Sequence, residues 1–155
     1  MKPPAVDALP ENTAVAYVDG SYNVKTRIFG YGIVYFSAAG KETFSGHGSG
    51  PYARHRNVAG EVLAAMQVMK LAKARGIEEL WIYHDYAGVR HWALGEWKAK
   101  LPMTQQYKAY AEKMQEALHL HFVKVAAHTG ETYNEEADQL AKKGAGLKGG
   151  AVPKA

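Results

Sequence analysis

The chain has no cysteine among its 155 residues. Disulfide scaffolds, cysteine-ligated zinc and thiol nucleophiles are therefore excluded. It has no stretch approaching the roughly 18 uninterrupted apolar residues that a membrane span needs. Its first ten residues carry one Lys and three Pro but lack the apolar centre of a secretory signal. No membrane partner is expected, and a cytoplasmic location is. No internal repeat stands out. What is present is ordinary globular composition, 47% hydrophobic and 22% charged, in a length suited to one domain. A formal charge of +4 mildly favours polyanionic partners, although many small soluble proteins carry as much.

Residues 1–12 contain Pro3, Pro4 and Pro10 and read as a flexible tail. Residues 13–144 form the expected domain, and the Gly/Lys-rich residues 145–155 a second flexible tail. Residues 14–18 (AVAYV) are a continuous apolar run, as in a strand covered on both faces, and lead into Asp19-Gly20-Ser21. Residues 28–37 predict a second strand. Residues 42–44 lie in a third that fades into the loop from Gly46 to Pro51. Short turn-rich links make these three an antiparallel meander. A helix follows, with Asn57 as expected N-cap, an apolar stripe through Val58, Val62, Ala65, Met69 and Ala72, and Gly76 closing it. Residues 80–83 (LWIY) are a buried strand ending in His84-Asp85, which completes a βαβ unit and makes the first and fourth strands parallel. Residues 86–97 and 104–118 predict helices, and residues 120–126 a fifth strand. A last helix spans residues 134–143, with Asn134 as cap and Gly144 just beyond. The expected class is α/β: a five-stranded mixed sheet, three strands antiparallel and then two parallel, with helices on both faces.

Most of the fifteen acids should be solvated surface charge. Four are placed differently. Asp19 and Asp85 each end a buried strand, and if those strands are parallel neighbours both open into the crevice where open α/β sheets bind ligands. Glu61 lies one turn into the crossover helix beside its apolar stripe, and Asp138 flanks Ala137, Leu140 and Ala141. Each alone could simply cap or turn the chain locally; four at strand ends and inner helix faces favour convergence. Converging carboxylates repel one another, and divalent metal relieves them. With oxygen ligands and no cysteine the expected ion is Mg²⁺, or Mn²⁺ as a substitute. Two such ions can stabilise the attacking and leaving oxygens of a phosphodiester displacement.

Five local motifs then follow in order: Tyr17-Val18-Asp19-Gly20-Ser21, the stretch from Asn57 to Ala64 (NVAGEVLA), His84-Asp85-Tyr86, Ala127-His128-Thr129-Gly130, and the stretch from Asn134 to Ala141 (NEEADQLA). The set resembles type 1 ribonuclease H over residues 14–144, most closely bacterial forms with a tract like Gly95-Glu96-Trp97-Lys98-Ala99-Lys100. Many of those carry a small N-terminal hybrid-binding domain. This chain is expected to be the catalytic domain without it, its Pro-rich head the stub of a linker. The resemblance implies a ribonuclease H-like fold, a monomer, and endonucleolytic cutting of the RNA strand in RNA–DNA hybrids, leaving 3′-hydroxyl and 5′-phosphate ends. It implies that Asp19 bridges two metals, Asp138 holds the one that activates water, and Glu61 and Asp85 hold the one facing the leaving oxygen. Glu61 would also sense a 2′-hydroxyl. By the same resemblance, Asn57 contacts bases or sugars in the minor groove, Arg54 and Arg56 grip phosphate, and His128 assists proton transfer or product release. Asn134, Trp97 and Lys98 complete the expected substrate contacts. Two departures stand out. The Gln expected beside the Asn is Val58, and the long basic protrusion of many relatives is reduced to Lys98 and Lys100 near Trp92 and Trp97.

The other histidines and aromatics have plainer readings. His119 and His121 share a strand face and could bind a transition metal, but no third ligand is evident in the sequence, so surface strand residues are the simpler reading. His84 should face away from Asp85, into the core or behind the site. Trp81 reads as core, whereas Trp92 and Trp97 could pack on the sheet or stack on sugars. Two competing functions are a related nuclease-fold enzyme acting on DNA and a non-catalytic hybrid-binding module.

Overall fold

A computed structural model describes residues 2–125 and 132–147 of the chain. Five strands, β1 (Thr13–Asn23), β2 (Ile28–Ser37), β3 (Gly40–Gly48), β4 (Glu79–His84) and β5 (His119–Lys124), form one sheet in the order β3-β2-β1-β4-β5. The pairs β1–β2 and β2–β3 are antiparallel, and β1–β4 and β4–β5 are parallel. The expected mixed sheet is therefore present. Helix α1 (Asn57–Ala74) crosses from β3 to β4; the short α2 (Gly88–Ala93) and α3 (Pro102–Met114) join β4 to β5; α4 (Thr132–Ala145) follows β5.

The larger core packs α1 and α3 on one face of the sheet through Val18, Ile33, Tyr35, Val62, Met69, Ile82 and Tyr107. Helix α1 buries half of its residues between the sheet and α3, and Gln67, Lys70 and Lys73 lie on its exposed side. The other face carries a smaller cluster of Val15, Tyr17, Val34, Phe36, Trp81 and Ala137 under α4. Val6 and Leu9 pack on this second cluster, so the head expected as a flexible tail covers apolar sheet surface. Among the described residues, no helix is long and apolar enough to cross a membrane.

Several boundaries differ from expectation. Strand β1 does not end at Asp19 but continues to Asn23 against β2, while its pairing with β4 stops at Tyr17–Tyr83. Asp19 thus sits where the parallel ladder ends and the antiparallel one goes on. Strand β3 is longer than residues 42–44, since pairing with β2 carries it through to Gly48. Strand β5 stops at Lys124, where its pairing with β4 runs out at His84. Asn57 is not the N-cap of α1: Arg56, at φ 55°, precedes the helix and Asn57 is its first residue. Asn134 likewise lies inside α4, which starts at Thr132, and is buried. Gly144 does not end that helix either; it packs over Gly46, and Gly146 (φ 75°) follows the last turn. Helices α2 and α3 are shorter than residues 86–97 and 104–118, as chain turns at Leu94 and Gln115 end them.

Both packing helices lie against bare backbone. A Cβ on Gly60 of α1 would stand 2.0 Å from the Gly30 carbonyl oxygen, and one on Gly20 equally close to the Asn57 carbonyl. Helix α4 rests on β2 in the same way, with Ala137 over Gly32. Gly60→Ala should therefore lift α1 off the sheet and cost about 1–3 kcal/mol by overpacking. Urea unfolding midpoints check this; an unchanged midpoint contradicts the contact.

Candidate active site

Four elements deliver four acids to one end of the sheet. Asp19 comes from β1, Asp85 from the residue after β4, Glu61 from the first turns of α1 and Asp138 from α4. Ligand oxygens of Asp19, Glu61 and Asp85 lie within 4.8 Å of one another. Asp138 lies beside Asp19 and, with Asp19, Asp85 and Asn134, lines a cavity of about 160 Å³. The expected convergence is thus observed for all four.

The local chain fixes each oxygen. Asp19 Oδ1 accepts from the Gly20 amide at 2.8 Å. Glu61, only 2% exposed, accepts on Oε2 from the amides of Asp85 (3.0 Å) and Tyr86 (3.2 Å). The turn supplying those amides is held from behind by His84, whose Nδ1 donates to the Tyr86 carbonyl at 2.8 Å. His84 is buried as expected, and burial pushes its pKa down to about 4, so it stays neutral there. Asp138 receives Lys142 Nζ at 3.1 Å, one helical turn on. Lys142 reads from the sequence only as a last-turn charge complementing the helix dipole, although its (i, i+4) spacing from Asp138 is a readable signal.

Burial, reinforced by Asp85 and then by Asp138, pushes Asp19 up to about 8 against the pull of the Gly20 amide. Burial raises Glu61 well above its ordinary value too, with Asp85 and Asp19 adding to it. Protein groups alone do not neutralise the cluster. All the converging donors are carboxylate oxygens, the set that hard divalent cations prefer, so the residues fit such ions.

The cavity continues into a groove lined by Tyr22, Arg56, Asn57 and Lys142. A neighbouring groove adds Arg27, Arg54 and Pro51 beside Arg56. Arg56 also stacks over the Tyr22 ring at 5.4 Å. Arg27, in the β1–β2 turn, is a cation that no motif singles out. Trp97 and Lys98 are not brought to the carboxylates; they line a separate groove with Gln105 and Lys108. Trp97 stacks on His91 and meets Tyr86 edge-on, while Trp92 packs against the main core. His128 lies outside the described residues.

With this geometry in view, comparison with known proteins is specific. The sequence profile of the RNase H family matches residues 11–146. Human ribonuclease H1 is 29% identical over 103 residues, an alignment spanning 59% of this chain and 36% of the human protein. The chain therefore matches only about a third of that relative's length. Among solved structures, the N-terminal RNase H domain of Rv2228c from Mycobacterium tuberculosis superposes with a TM-score of 0.70 at 19% identity, covering 86% of this chain and 94% of that one. RNase H1 from the archaeon Halobacterium salinarum gives 0.69 at 19% identity, covering 85% and 96%. LC11-RNase H1, solved in complex with an RNA/DNA hybrid, gives 0.68 at 17% identity, covering 84% and 94%. Fold and sheet-end carboxylates define an α/β protein of the ribonuclease H-like class. The chain belongs to the RNase H family.

The raised pKa of Asp19 has a consequence for stability. The fold favours its protonated form, so this contribution is complete below the ordinary value of 3.8 and is lost as pH rises through about 8. In metal-free buffer at pH 8, Asp19→Asn should be more stable than the parent by about 0.5–2 kcal/mol. The gap should close toward pH 4. Paired thermal melts across pH read the difference directly, since the opposing His84 contribution is common to both proteins. A parent as stable as the variant at pH 8 would contradict the electrostatics.

Proposed function

We propose that this chain is a divalent-metal-dependent endonuclease that hydrolyses the RNA strand of RNA–DNA hybrids, leaving 3′-hydroxyl and 5′-phosphate ends. The observation that carries this reading is the meeting of Asp19, Glu61, Asp85 and Asp138 in one cleft that opens into a groove bearing Arg56 and Asn57. Family membership and the hybrid-bound neighbour support the substrate class.

Asp19 is the central ligand in this reading, with Glu61 and Asp85 on one side and Asp138 on the other. When bound, two Mg²⁺ ions (or Mn²⁺ in their place) supply positive charge against the attacking and leaving oxygens of an in-line displacement. The protein's own part is positioning. Backbone amides aim Glu61, and the Gly20 amide fixes Asp19. Lys142 restrains Asp138. Arg54, Arg56 and Arg27 lie where a phosphate backbone would leave the cleft. Asn57 and Asn134 face the substrate side, and groove shape with 2′-hydroxyls marks the hybrid without sequence readout. His128 assists proton transfer or product release. Trp97 and Lys98, in their separate groove, contact the strand away from the reacting phosphate.

Asp19→Asn should abolish Mg²⁺-dependent cleavage of a labelled RNA–DNA hybrid while leaving the circular dichroism spectrum intact. Cleavage retained in that variant, or all-DNA duplex cut as fast by the parent, would overturn the proposal. His128→Ala should slow turnover by about 10²-fold. A pH–rate profile identical to the parent's would remove the proton role.

A further inference from the structure

A second set of potential ligands lies at the opposite end of the sheet. Glu79 opens β4 and pairs with His119, which opens β5; His121 follows two residues on, on the same face. His121 Nε2 donates to Glu79 Oε1 at 2.7 Å, and His119 Nδ1 to Oε2 at 3.2 Å. All three ligand atoms lie within 4.8 Å of one another. The third ligand that the sequence left unidentified is thus Glu79, forty residues away and brought in by the parallel register of β4 and β5.

We propose that Glu79, His119 and His121 form a binding site for one divalent transition-metal ion of the zinc or copper class, separate from the carboxylate cleft. Two imidazoles and one carboxylate suit these ions and not Mg²⁺, which prefers oxygen alone. The size fits. Two ligand atoms on one tetrahedral zinc ion stand about 3.3 Å apart, given bonds of about 2.0–2.1 Å. The separations of 2.7 Å from His121 to Glu79 Oε1 and 3.2 Å from His119 to Glu79 Oε2 bracket this value, and one ligand atom from each of the three residues lies within 4.8 Å of the others. On binding, the ion takes the place of the proton in each His–Glu hydrogen bond, and each neutral ring carries its proton on the other nitrogen. Three protein ligands leave the fourth position to water.

The surroundings favour occupancy. His121 is the anchor: its side chain is 15% exposed and its ring stacks on the buried Trp81 at 4.1 Å between centroids. His119, 68% exposed, leaves the site open to solvent. Helix α4 covers β1, β2 and β3 on this face, so it leaves the β4–β5 end accessible. Glu79 and Asp85 are six residues apart on one extended strand, about 20 Å, so the two sites cannot share an ion. An ion here would clip the edge strand β5 to β4.

Trp81 supplies a direct readout. In an Asp19→Asn background, which weakens competing binding in the cleft, isothermal titration with ZnCl2 should show one saturable equivalent. His119→Ala and His121→Ala should each weaken it at least about tenfold. Titration with CuCl2 should quench part of the tryptophan emission, and Trp81→Phe should remove that quenching while zinc binding persists. Because His119 is exposed, His119→Ala keeps the test valid if His121→Ala unfolds. Mg²⁺-dependent hybrid cleavage should be unchanged in both histidine variants when Asp19 is intact. Absence of saturable zinc binding, or equal affinity in the parent and His119→Ala, would overturn the site.

Discussion

Like-charged side chains share a cleft only where the scaffold is stiffer than their repulsion. Here the stiffness comes from backbone meeting backbone. Gly60 of α1 rests on the Gly30 carbonyl, and α4 rests on Gly32, so neither helix can tilt without breaking packed contacts. These seatings place Glu61 and Asp138 over the end of the β1–β4 ladder, where Asp19 and Asp85 already are. The result is a cluster in which burial and mutual repulsion hold Asp19 and Glu61 toward their neutral forms. A site of this kind is destabilising by itself, and divalent cations, in the proposed function, would offset that cost.

Charge along the grooves leading from the cluster has the opposite sign. Arg27, Arg54 and Arg56 border the grooves leading from it, and Lys142 closes one side. In the proposed function, a polyanionic strand would be attracted along the rim and repelled at the centre until cations mediate, and phosphate contacts would position it without reading sequence. Tyr86 joins the cluster to the aromatic group of Trp92 and Trp97: its amide serves Glu61 while its ring packs beside both tryptophans.

The sequence made the four acids legible because each sits at a punctuation point: the end of an apolar run for Asp19 and Asp85, the edge of a helical stripe for Glu61 and Asp138. The parallel pairing of the first and fourth strands followed from the intervening helix and is present. Helix ends were less legible. Asn57 and Asn134 have the chemistry of N-caps, but tertiary packing starts both helices earlier or on another residue and leaves the two amides facing the cleft. Gly144 reads as a terminator, yet it serves a close helix–strand contact inside α4. The grouping of Glu79 with His119 and His121 was invisible because it depends on the register of two strands, which no local pattern encodes.

The most direct measurement is anomalous diffraction from crystals of this protein grown with Mn²⁺. The convergence of acids predicts manganese peaks in contact with the Asp19 carboxylate, shared on one side with Glu61 and Asp85 and on the other with Asp138. Crystals showing those side chains turned apart, with manganese bound elsewhere or not at all, would contradict it.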